Sequence, residues 1–238
     1  MRRKEVDKKK HLVLFSGAGM SAESGLKTFR DHGGLWENYD INQVATPEAW
    51  NENRELVLKF YNQRRTQLLK AKPNLAHKMV AELEKDFKVT VITQNIDDLH
   101  ERAGSSKVIH LHGELLKARS EQFSDLIYDW KKERIEIGDC CERGTQLRPH
   151  VVWFGEEVPQ MEVALQQMKT ADLLVVIGTS LTVYPAASLI QFVLPKTQCF
   201  LIDPKPSSNI QNSHWTVIQE NSIQGMKVLI KELRSHLS

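Results

Sequence analysis

Two histidines end an apolar run of the chain and are followed at once by glycine. His110 and His112 belong to the segment Val108–Gly113, with the sequence VIHLHG. Histidine is the usual general base near neutral pH, and catalytic side chains often gather at strand ends. His112 is therefore a candidate general base. Two alternatives stay open, because histidines two positions apart can form half of a metal site and an isolated histidine is often structural.

A glycine-rich turn follows the first apolar run. The run Leu12–Phe15 leads into Gly17–Gly25, with the sequence GAGMSAESG. Glycine lets a backbone turn sharply and approach a ligand, and a helix that begins there directs amide donors toward a phosphate. A dinucleotide is therefore a reasonable ligand. Ala22 stands at the third position of the usual G-x-G-x-x-G pattern, so a tight turn without a ligand is the alternative.

Polar residues follow three later apolar runs. They are Thr93–Asp98 after Val89–Ile92, Gly178–Ser180 after Leu173–Ile177, and Asp203 after Phe200–Ile202. In an open α/β sheet, ligands bind outside the carboxyl ends of the strands. Amide and carboxylate groups there can bind hydroxyls and a carboxamide, although Asx turns use the same residue types. These three loops and the glycine turn lie on one edge of the sheet, and four loops at one edge favour a ligand site.

Other catalytic patterns are weak. No serine is placed in a G-x-S-x-G nucleophile pattern. A hydride-transferring dehydrogenase would have an acidic residue about 20 positions after the glycine turn, at the end of a second strand. The segment His32–Trp36 occupies that region and has the composition of a turn.

The elements that position these residues alternate between strands and helices. The apolar runs, together with Val108–Leu111, are rich in Val, Ile and Leu without alternation, which predicts strands buried on both faces of a parallel sheet. Helical patterns lie between them at Asn74–Lys85, Met161–Lys169, Pro185–Val193 and Ser222–His236. This order predicts an α/β fold with a Rossmann-like, doubly wound parallel sheet.

Two excursions from this alternation predict a smaller domain. Residues 31–72 contain a helical pattern, and residues 113–148 are irregular and charged. The small domain is expected to consist of these two segments. Residues 1–30, 73–112 and 149–238 are expected to form the Rossmann-like nucleotide-binding domain.

One helix of the small domain has an arginine in an apolar row. Thr46 as N-cap and Pro47 in the first turn predict a helix from Thr46 to Lys70. Residues on one face follow at spacings of four, three and four: Val57, Tyr61, Arg64 and Leu68. The arginine is either a snorkelling or ion-paired structural side chain, or an anion receptor in a pocket, with Tyr61 as a second donor.

Composition argues against a nucleic-acid-binding protein, a disulfide-rich protein and a membrane-spanning protein. The chain has 238 residues, with 32 Lys+Arg, 30 Asp+Glu and three cysteines. The net positive charge belongs to the first ten residues, which argues against a nucleic-acid-binding surface. An odd number of cysteines argues against a disulfide framework, and no apolar run approaches the ~20 residues of a membrane span. We expect a cytoplasmic monomer that does not bind membranes.

Six motifs together resemble the sirtuins, the NAD-dependent protein-lysine deacylases. They occur in the family's order and span most of the chain: Gly17–Arg30, Gly33–Trp36, Thr93–Gly104, His110–Leu115, Arg148–Glu156 and Gly178–Ser180. The resemblance implies NAD as cofactor and acylated lysine side chains of proteins as partners. It implies that the acyl group is transferred to ADP-ribose while nicotinamide is released.

The resemblance also assigns roles to residues. His112 is implied as the general base and Asn95 as a second catalytic residue. The residues implied to bind NAD are Gly17, Ala18, Gly19, Ser21, Glu23, Phe29, Arg30, Trp36, Gln94, Asn95, Ile96, Asp97, Gly178, Thr179, Ser180, Leu201, Ile202 and Asp203. The residues implied to bind the substrate are Val152, Phe154, Gly155 and Glu156, within a segment, Val152–Val158, expected to pair with its backbone as an added strand.

Tyr61 and Arg64 match the Tyr-x-x-Arg pattern of the bacterial subclass that removes succinyl, malonyl or glutaryl groups. An acidic acyl chain in an apolar tunnel needs a cation and a hydroxyl donor, because an unpaired buried carboxylate is costly. We therefore expect removal of acidic acyl groups as well as acetyl. The alternatives are mainly a deacetylase, a protein ADP-ribosyltransferase, or a module that binds acylated peptides without turnover.

The chain departs from the sirtuin pattern in the small domain. Many sirtuins bind a structural zinc there through two cysteine pairs. Here Ser120 stands where a cysteine is expected, and Cys140 and Cys141 are adjacent. Two adjacent thiols do not complete a tetrahedral site. We expect no tightly bound zinc; the alternative is a poor site completed by a histidine or a carboxylate.

Overall fold

The computed structural model describes residues 9–28, 39–206 and 214–235 of the chain. Three residues expected to bind NAD, Phe29, Arg30 and Trp36, lie outside the described residues. The motif Gly33–Trp36 lies outside them as well.

The described residues form nine strands and eight α-helices. The strands are β1 (His11–Ser16), β2 (Lys88–Thr93), β3 (Val108–His110), β4 (Gly113–Ser120), β5 (Ile127–Asp129), β6 (Leu147–Val151), β7 (Leu173–Ile177), β8 (Gln198–Ile202) and β9 (Trp215–Ile218). The helices are α1 (Gly19–Ala22), α2 (Ile41–Val44), α3 (Pro47–Glu52), α4 (Arg54–Lys70), α5 (Leu75–Glu82), α6 (Leu99–Ala103), α7 (Met161–Met168) and α8 (Ser222–Ser235). Short 3-10 helices cover Leu83–Lys85 and Ala186–Phe192.

Six of the described strands form a parallel sheet in the order β3-β2-β1-β7-β8-β9. This is the doubly wound order, in which the chain reverses its direction of winding between β1 and β7 and leaves a crevice at the carboxyl ends of the strands. The predicted α/β fold with a Rossmann-like sheet is confirmed. The central strand β1 pairs with β2 and β7, with Phe15 opposite both Ile92 and Val176.

Both faces of the parallel sheet are covered, as its continuous apolar strands predict. Leu12 and Leu14 of β1 pack in one buried cluster with residues of α5 and α8. Val13 and Phe15 pack in a second cluster with residues of α7 and the second 3-10 helix. All five predicted strands are present. Strand β9 was not predicted, because an edge strand with exposed residues at its centre lacks a continuous apolar run.

A second, antiparallel sheet in the described residues has the order β5-β4-β6 and packs with α2, α3 and α4. Strands β4 and β5 come from the predicted small-domain segment 113–148. Strand β6 crosses the predicted boundary between residues 148 and 149, and its last residue, Val151, pairs with Gly113 at the start of β4. The division into the two domains stays a prediction.

The predicted single helix from Thr46 to Lys70 is wrong. Thr46 does cap a helix, since its hydroxyl accepts the N–H of Ala49 at 3.1 Å. That helix ends at Glu52. Asn53 leaves the helical conformation, with φ -149° and ψ 78°, and its side chain accepts the N–H of Leu56 at 2.9 Å to begin α4. An asparagine side chain that caps a new helix competes with continuation of the old one. Predicted helix 185–193 is a 3-10 helix.

The region where a zinc site was considered is held by hydrogen bonds instead. Ser120 is buried, and its hydroxyl lies 2.7 Å from that of Thr145, which lies 3.1 Å from Sγ of Cys141. Cys140 is exposed. Among the described residues, no group of three or more His, Cys, Asp or Glu side chains is arranged to hold a metal ion. These residues do not fit a structural zinc.

None of the helices in the part of the chain that the structure describes is long and apolar enough to cross a membrane.

Candidate active site

The loops after β1 and β7 meet backbone to backbone at the crevice. The N–H of Gly17 donates to the carbonyl of Ile177 at 3.1 Å, and the N–H of Gly19 donates to that of Gly178 at 2.9 Å. A Cβ on Gly178 would lie 2.3 Å from the backbone nitrogen of Met20, and Gly178 has φ +61°. Only glycine fits this crossing. The two glycine loops singled out in the sequence therefore form one structure.

The loop after β2 is held from one side by a single segment of the chain. The carbonyls of Gln94, Asn95 and Ile96 accept hydrogen bonds from His112 Nδ1 at 2.9 Å, His110 Nδ1 at 3.1 Å and the N–H of Leu115 at 2.8 Å, in that order. Because backbone carbonyls only accept, each histidine has a proton on Nδ1. The loop geometry thus depends on both histidines.

The side chains of this loop form a buried polar cluster with the glycine turn. Nδ2 of Asn95 donates to the carbonyl of Gly17 at 3.0 Å and to the hydroxyl of Ser21 at 3.2 Å. The Ser21 hydroxyl donates to Oδ2 of Asp97 at 2.9 Å. Burial raises the pKa of Asp97, and the bond from Ser21 opposes this rise. Gln94 reaches the β7 loop, where its Nε2 donates to Thr179 at 3.0 Å.

His112 has the protonation state that a general base needs. With the proton on Nδ1, held by the Gln94 carbonyl, Nε2 has the lone pair. Burial lowers the pKa of His112 below its ordinary value of 6.5, against the effect of the Gln94 carbonyl. The imidazole is therefore neutral at neutral pH and accepts a proton at Nε2.

Arg64 lies in the same cavity as this polar cluster. The cavity is lined by Ala18, Ser21, Leu26, Lys27, Arg64, Gln67, Leu68, Asn95, Ile96, Asp97 and Leu115. Nη1 of Arg64 donates to the carbonyl of Phe60 at 2.8 Å, and its guanidinium lies over the Phe60 ring, 3.2 Å from the centroid. No carboxylate among the described residues lies within ion-pair distance, and Nε has no hydrogen-bond partner there. Burial lowers the pKa of Arg64 to about 10, so it is charged at neutral pH.

The neighbouring arginine has a different role. Arg65 is 3% exposed, and its Nε and Nη1 donate to the carbonyls of Lys132 and Leu115 at 2.9 and 2.8 Å. Its Nη2 donates to the carbonyl of Trp130. Arg65 therefore ties α4 to β4 and the segment that follows β5, whereas Arg64 faces the cavity.

Tyr61 is held by a tryptophan that the sequence did not single out. Trp153 Nε1–H donates to the Tyr61 hydroxyl at 3.1 Å, so the hydroxyl keeps its own proton to donate. Burial raises the pKa of Tyr61 to about 12. Trp153 is itself fixed, because Arg148 stacks on its ring at 3.3 Å and Glu156 accepts its backbone N–H at 2.8 Å. The sequence signal for Trp153 was its position within the motif Arg148–Glu156.

Glu156, expected to bind substrate, has several partners within the chain. Its carboxylate accepts two bonds from Arg148, at 2.7 and 3.0 Å, and one from Arg119 at 2.9 Å. Two other expected substrate residues lie in different surroundings. The N–H of Val152 donates to the His112 carbonyl at 2.9 Å, and the side chain of Phe154 is exposed. Gly155 has φ +90° in the turn between Phe154 and Glu156. Their contacts with a substrate stay predictions.

The remaining residues expected to bind NAD lie around the crevice in different settings. Glu23 accepts the N–H of Ile223 at 2.9 Å, at the first turn of α8. The side chains of Leu201 and Ile202 are buried in the sheet. Ser180 is exposed, with its hydroxyl 2.8 Å from that of Thr182, and Asp203 accepts the N–H of Lys205 at 2.7 Å.

A doubly wound sheet with a glycine crossing at its switch point, and a neutral histidine bonded to a loop that has a buried amide and carboxylate, are typical of a nucleotide-dependent enzyme. The model of the Sir2 family matches residues 17–185, and the chain belongs to that family. It is 53% identical over 224 residues to an NAD-dependent protein deacylase of Helicobacter pylori, covering 94% of this chain and 95% of that one.

Two further comparisons agree. An NAD-dependent protein deacylase of Bacteroides thetaiotaomicron is 52% identical over 225 residues, covering 92% of this chain and 96% of the relative. A solved structure of a Sir2 homologue in complex with NAD has a TM-score of 0.85 and 38% identity, covering 97% of this chain and 91% of that one.

Proposed function

We propose that this chain is an NAD-dependent protein-lysine deacylase that removes acidic acyl groups, such as succinyl, malonyl and glutaryl, as well as acetyl. The observation that carries the acidic preference is Arg64, a buried cation without a carboxylate partner among the described residues, in the cavity that Asn95 and Asp97 also line. Family membership supports the NAD-dependent reaction.

The donor set at the crevice fits NAD. A carboxamide, a hydroxyl and a carboxylate, on Asn95, Ser21 and Asp97, suit a ribose and the nicotinamide amide. Nδ2 of Asn95 already donates to Gly17 and Ser21, so its Oδ1 remains to accept a hydroxyl. When bound, NAD supplies the leaving nicotinamide and the ribose that takes up the acyl group.

The chain's own contribution to the reaction is positioning and proton transfer. Nε2 of His112 takes a proton from a ribose hydroxyl, while the Nδ1–H bond to the Gln94 carbonyl holds the ring in the required tautomer. The Asn95 side chain links the β2 loop to the glycine turn and keeps both at a fixed distance. Such positioning accounts for much of catalysis when the cosubstrate supplies the leaving group.

The proposed acyl pocket uses two donors of α4: Arg64, which lines the cavity, and Tyr61, which lies three residues earlier on the same helix. The Arg64 guanidinium would pair with the acyl carboxylate, and the Tyr61 hydroxyl would donate a second hydrogen bond. Apolar surface from Leu26 and Leu68 lines the cavity beside Arg64 and suits the methylene groups of the acyl chain. An acetyl group needs neither donor, so the two activities are separable.

The test is NAD-dependent deacylation of one peptide with acetyl- or succinyl-lysine. Tyr61→Phe with Arg64→Met should lower kcat/KM for the succinyl peptide by about 100-fold, because both donors are lost, and change it for the acetyl peptide by less than about threefold. The control Lys59→Met removes a cation from the exposed face of α4. Parallel loss of both activities would refute the pocket assignment.

The reaction products distinguish deacylation from two other activities. A protein ADP-ribosyltransferase would leave label from NAD attached to protein. A binding module would release no nicotinamide in a single turnover with acylated peptide. We also propose that the protein is a monomer and that it is cytoplasmic. The odd number of cysteines, which argues against a disulfide framework, supports the cytoplasmic location.

A further inference from the structure

His110 connects the catalytic loop to helix α6. Its Nδ1 lies 3.1 Å from the Asn95 carbonyl, and its Nε2 lies 2.7 Å from Oε1 of Glu101. The His110 side chain is 8% exposed and that of Glu101 is 40% exposed. Neither residue has a role in the mechanism above.

The two contacts together determine the charge of His110. The Asn95 carbonyl only accepts, so Nδ1 carries a proton. An ionised carboxylate also only accepts, so Nε2 facing Glu101 carries a second proton. His110 is therefore an imidazolium paired with a carboxylate, in contrast to the neutral His112 two residues later.

The charged groups around His110 come from three elements. Glu101 on α6 and Glu114 on β4 raise the pKa of His110 above its ordinary value, against the effect of burial. Burial raises the pKa of Asp97 on the loop itself, and the charge of His110 opposes this rise. His100, also on α6, is buried with its pKa well below the ordinary value, so it adds no charge. Lys117 on β4 acts on Glu101 and favours its ionised form.

We propose that Glu101 and His110 are a positioning pair that holds Asn95 in its catalytic place, and that the hold is lost when His110 gives up a proton. Of the three loop carbonyls, that of Asn95 is the one whose donor is a charged, titratable group. The side chain of Asn95 donates to Gly17 and Ser21. A shift of the Asn95 carbonyl therefore displaces the hydrogen bonds between the loop and the glycine turn. The proposal rests on the NAD-dependent activity proposed above and is independent of the acyl preference.

The sign of the pH effect follows from the pair. The contribution of protonated His110 is complete below pH 6.5 and is lost as the pH rises through its raised pKa. Above that pKa, His110 has one N–H for two acceptors, so either the Asn95 carbonyl loses its donor or the lone pair on Nε2 faces the Glu101 carboxylate and the two repel. In Glu101→Gln, the side-chain amide N–H would donate to neutral Nε2, so the contact would survive deprotonation.

The kinetic experiment follows kcat/KM for NAD with an acetyl-lysine peptide from about pH 6 to about pH 10. The wild-type protein should lose activity on an alkaline limb. Glu101→Gln should lack that limb, and His110→Ala should be lowered about tenfold without it. The control Glu136→Gln removes a carboxylate from an exposed ion pair with Arg134 and should reproduce the wild-type profile. The same alkaline limb in Glu101→Gln would overturn the proposal.

A second measurement determines the protonation state of His110 directly, and it does not depend on enzymatic activity. In ¹⁵N-histidine NMR of the free protein near neutral pH, one buried histidine should have both ring nitrogens protonated. In Glu101→Gln this signal should become that of a neutral ring. A neutral His110 in the wild-type protein would refute the pair even if the protein is an active deacylase. A protein inactive on every acylated peptide that still has the imidazolium would refute the proposed function instead.

Discussion

At the scale of single residues, partners decide what chemistry a side chain can do. His110 and His112 are two positions apart and donate to consecutive carbonyls. The Glu101 carboxylate stabilises the protonated form of His110, whereas His112 is neutral. Arg64 and Arg65 are adjacent, yet one lines the cavity and the other donates to three backbone carbonyls. Residue type alone predicts neither difference.

His112 should determine the acid limb of the reaction. The base form is the neutral imidazole, and burial lowers the pKa of His112. Activity should therefore rise with pH through a pKa below 6.5 and be complete at neutral pH. His112→Tyr should abolish acyl transfer and leave NAD binding largely intact, measured by calorimetry. Turnover at the wild-type rate in this variant would remove His112 from the mechanism.

The two adjacent arginines should differ in their effect on stability. Arg65→Met leaves three carbonyls without a donor and should lower the free energy of unfolding by about 2–4 kcal/mol. Arg64→Met removes an uncompensated buried charge and should cost less than about 1 kcal/mol, or stabilise. Urea unfolding followed by circular dichroism compares them. Equal losses would contradict the division of roles.

At the scale of elements, the site is made by the crossing of two loops. The turn after β1 contacts the turn after β7 through glycine backbone, and the loop after β2 is held by the segment from His110 to Leu115. These elements are distant in sequence but adjacent at the carboxyl edge of the sheet. The order β2-β1-β7 brings the three loops together.

Gly178→Ala should disrupt this crossing. The added Cβ would meet the Met20 nitrogen, and φ +61° is unfavourable for alanine, so we expect at least tenfold weaker NAD binding and about 2 kcal/mol or more lost from the free energy of unfolding. Gly144 has φ +78° with open space around it, so Gly144→Ala tests backbone strain alone. Equal NAD binding in the two variants would refute the role of the crossing.

At the scale of the whole molecule, the small antiparallel sheet holds together with a hydrogen-bonded cluster where many sirtuins have a metal. Ser120, Thr145 and Cys141 link the end of β4 to the segment before β6. Arg65 adds a second tie, from α4 to this region.

The purified protein should therefore contain well below one zinc ion per chain, because a tetrahedral site takes four ligands and no three suitable side chains meet within the described residues. Elemental analysis measures the metal directly. A chelator should not change the thermal unfolding midpoint, since we expect the hydrogen bonds of Ser120, Thr145 and Cys141 to hold this region in place of a metal. One zinc per chain, or a clear fall of the midpoint with chelator, would show that a site is completed by other residues.

The sequence by itself determined the parallel sheet, because strands buried on both faces are continuous apolar runs. It also determined the polar loops at the carboxyl edge and, through motifs, the family. The break at Asn53 and the strand β9 were missed, since an asparagine is compatible with a helix and an edge strand has a weak apolar signal.

Only the tertiary structure decided the surroundings of the functional side chains. One step along a helix turns a side chain by about 100°, so Arg64 and Arg65 meet different environments that depend on segments some 50 residues away. The partner of Tyr61 is Trp153, 92 positions later. Local pattern predicts which face a residue occupies. What it contacts there is set by how distant segments pack, and this determines charge, tautomer and chemical role.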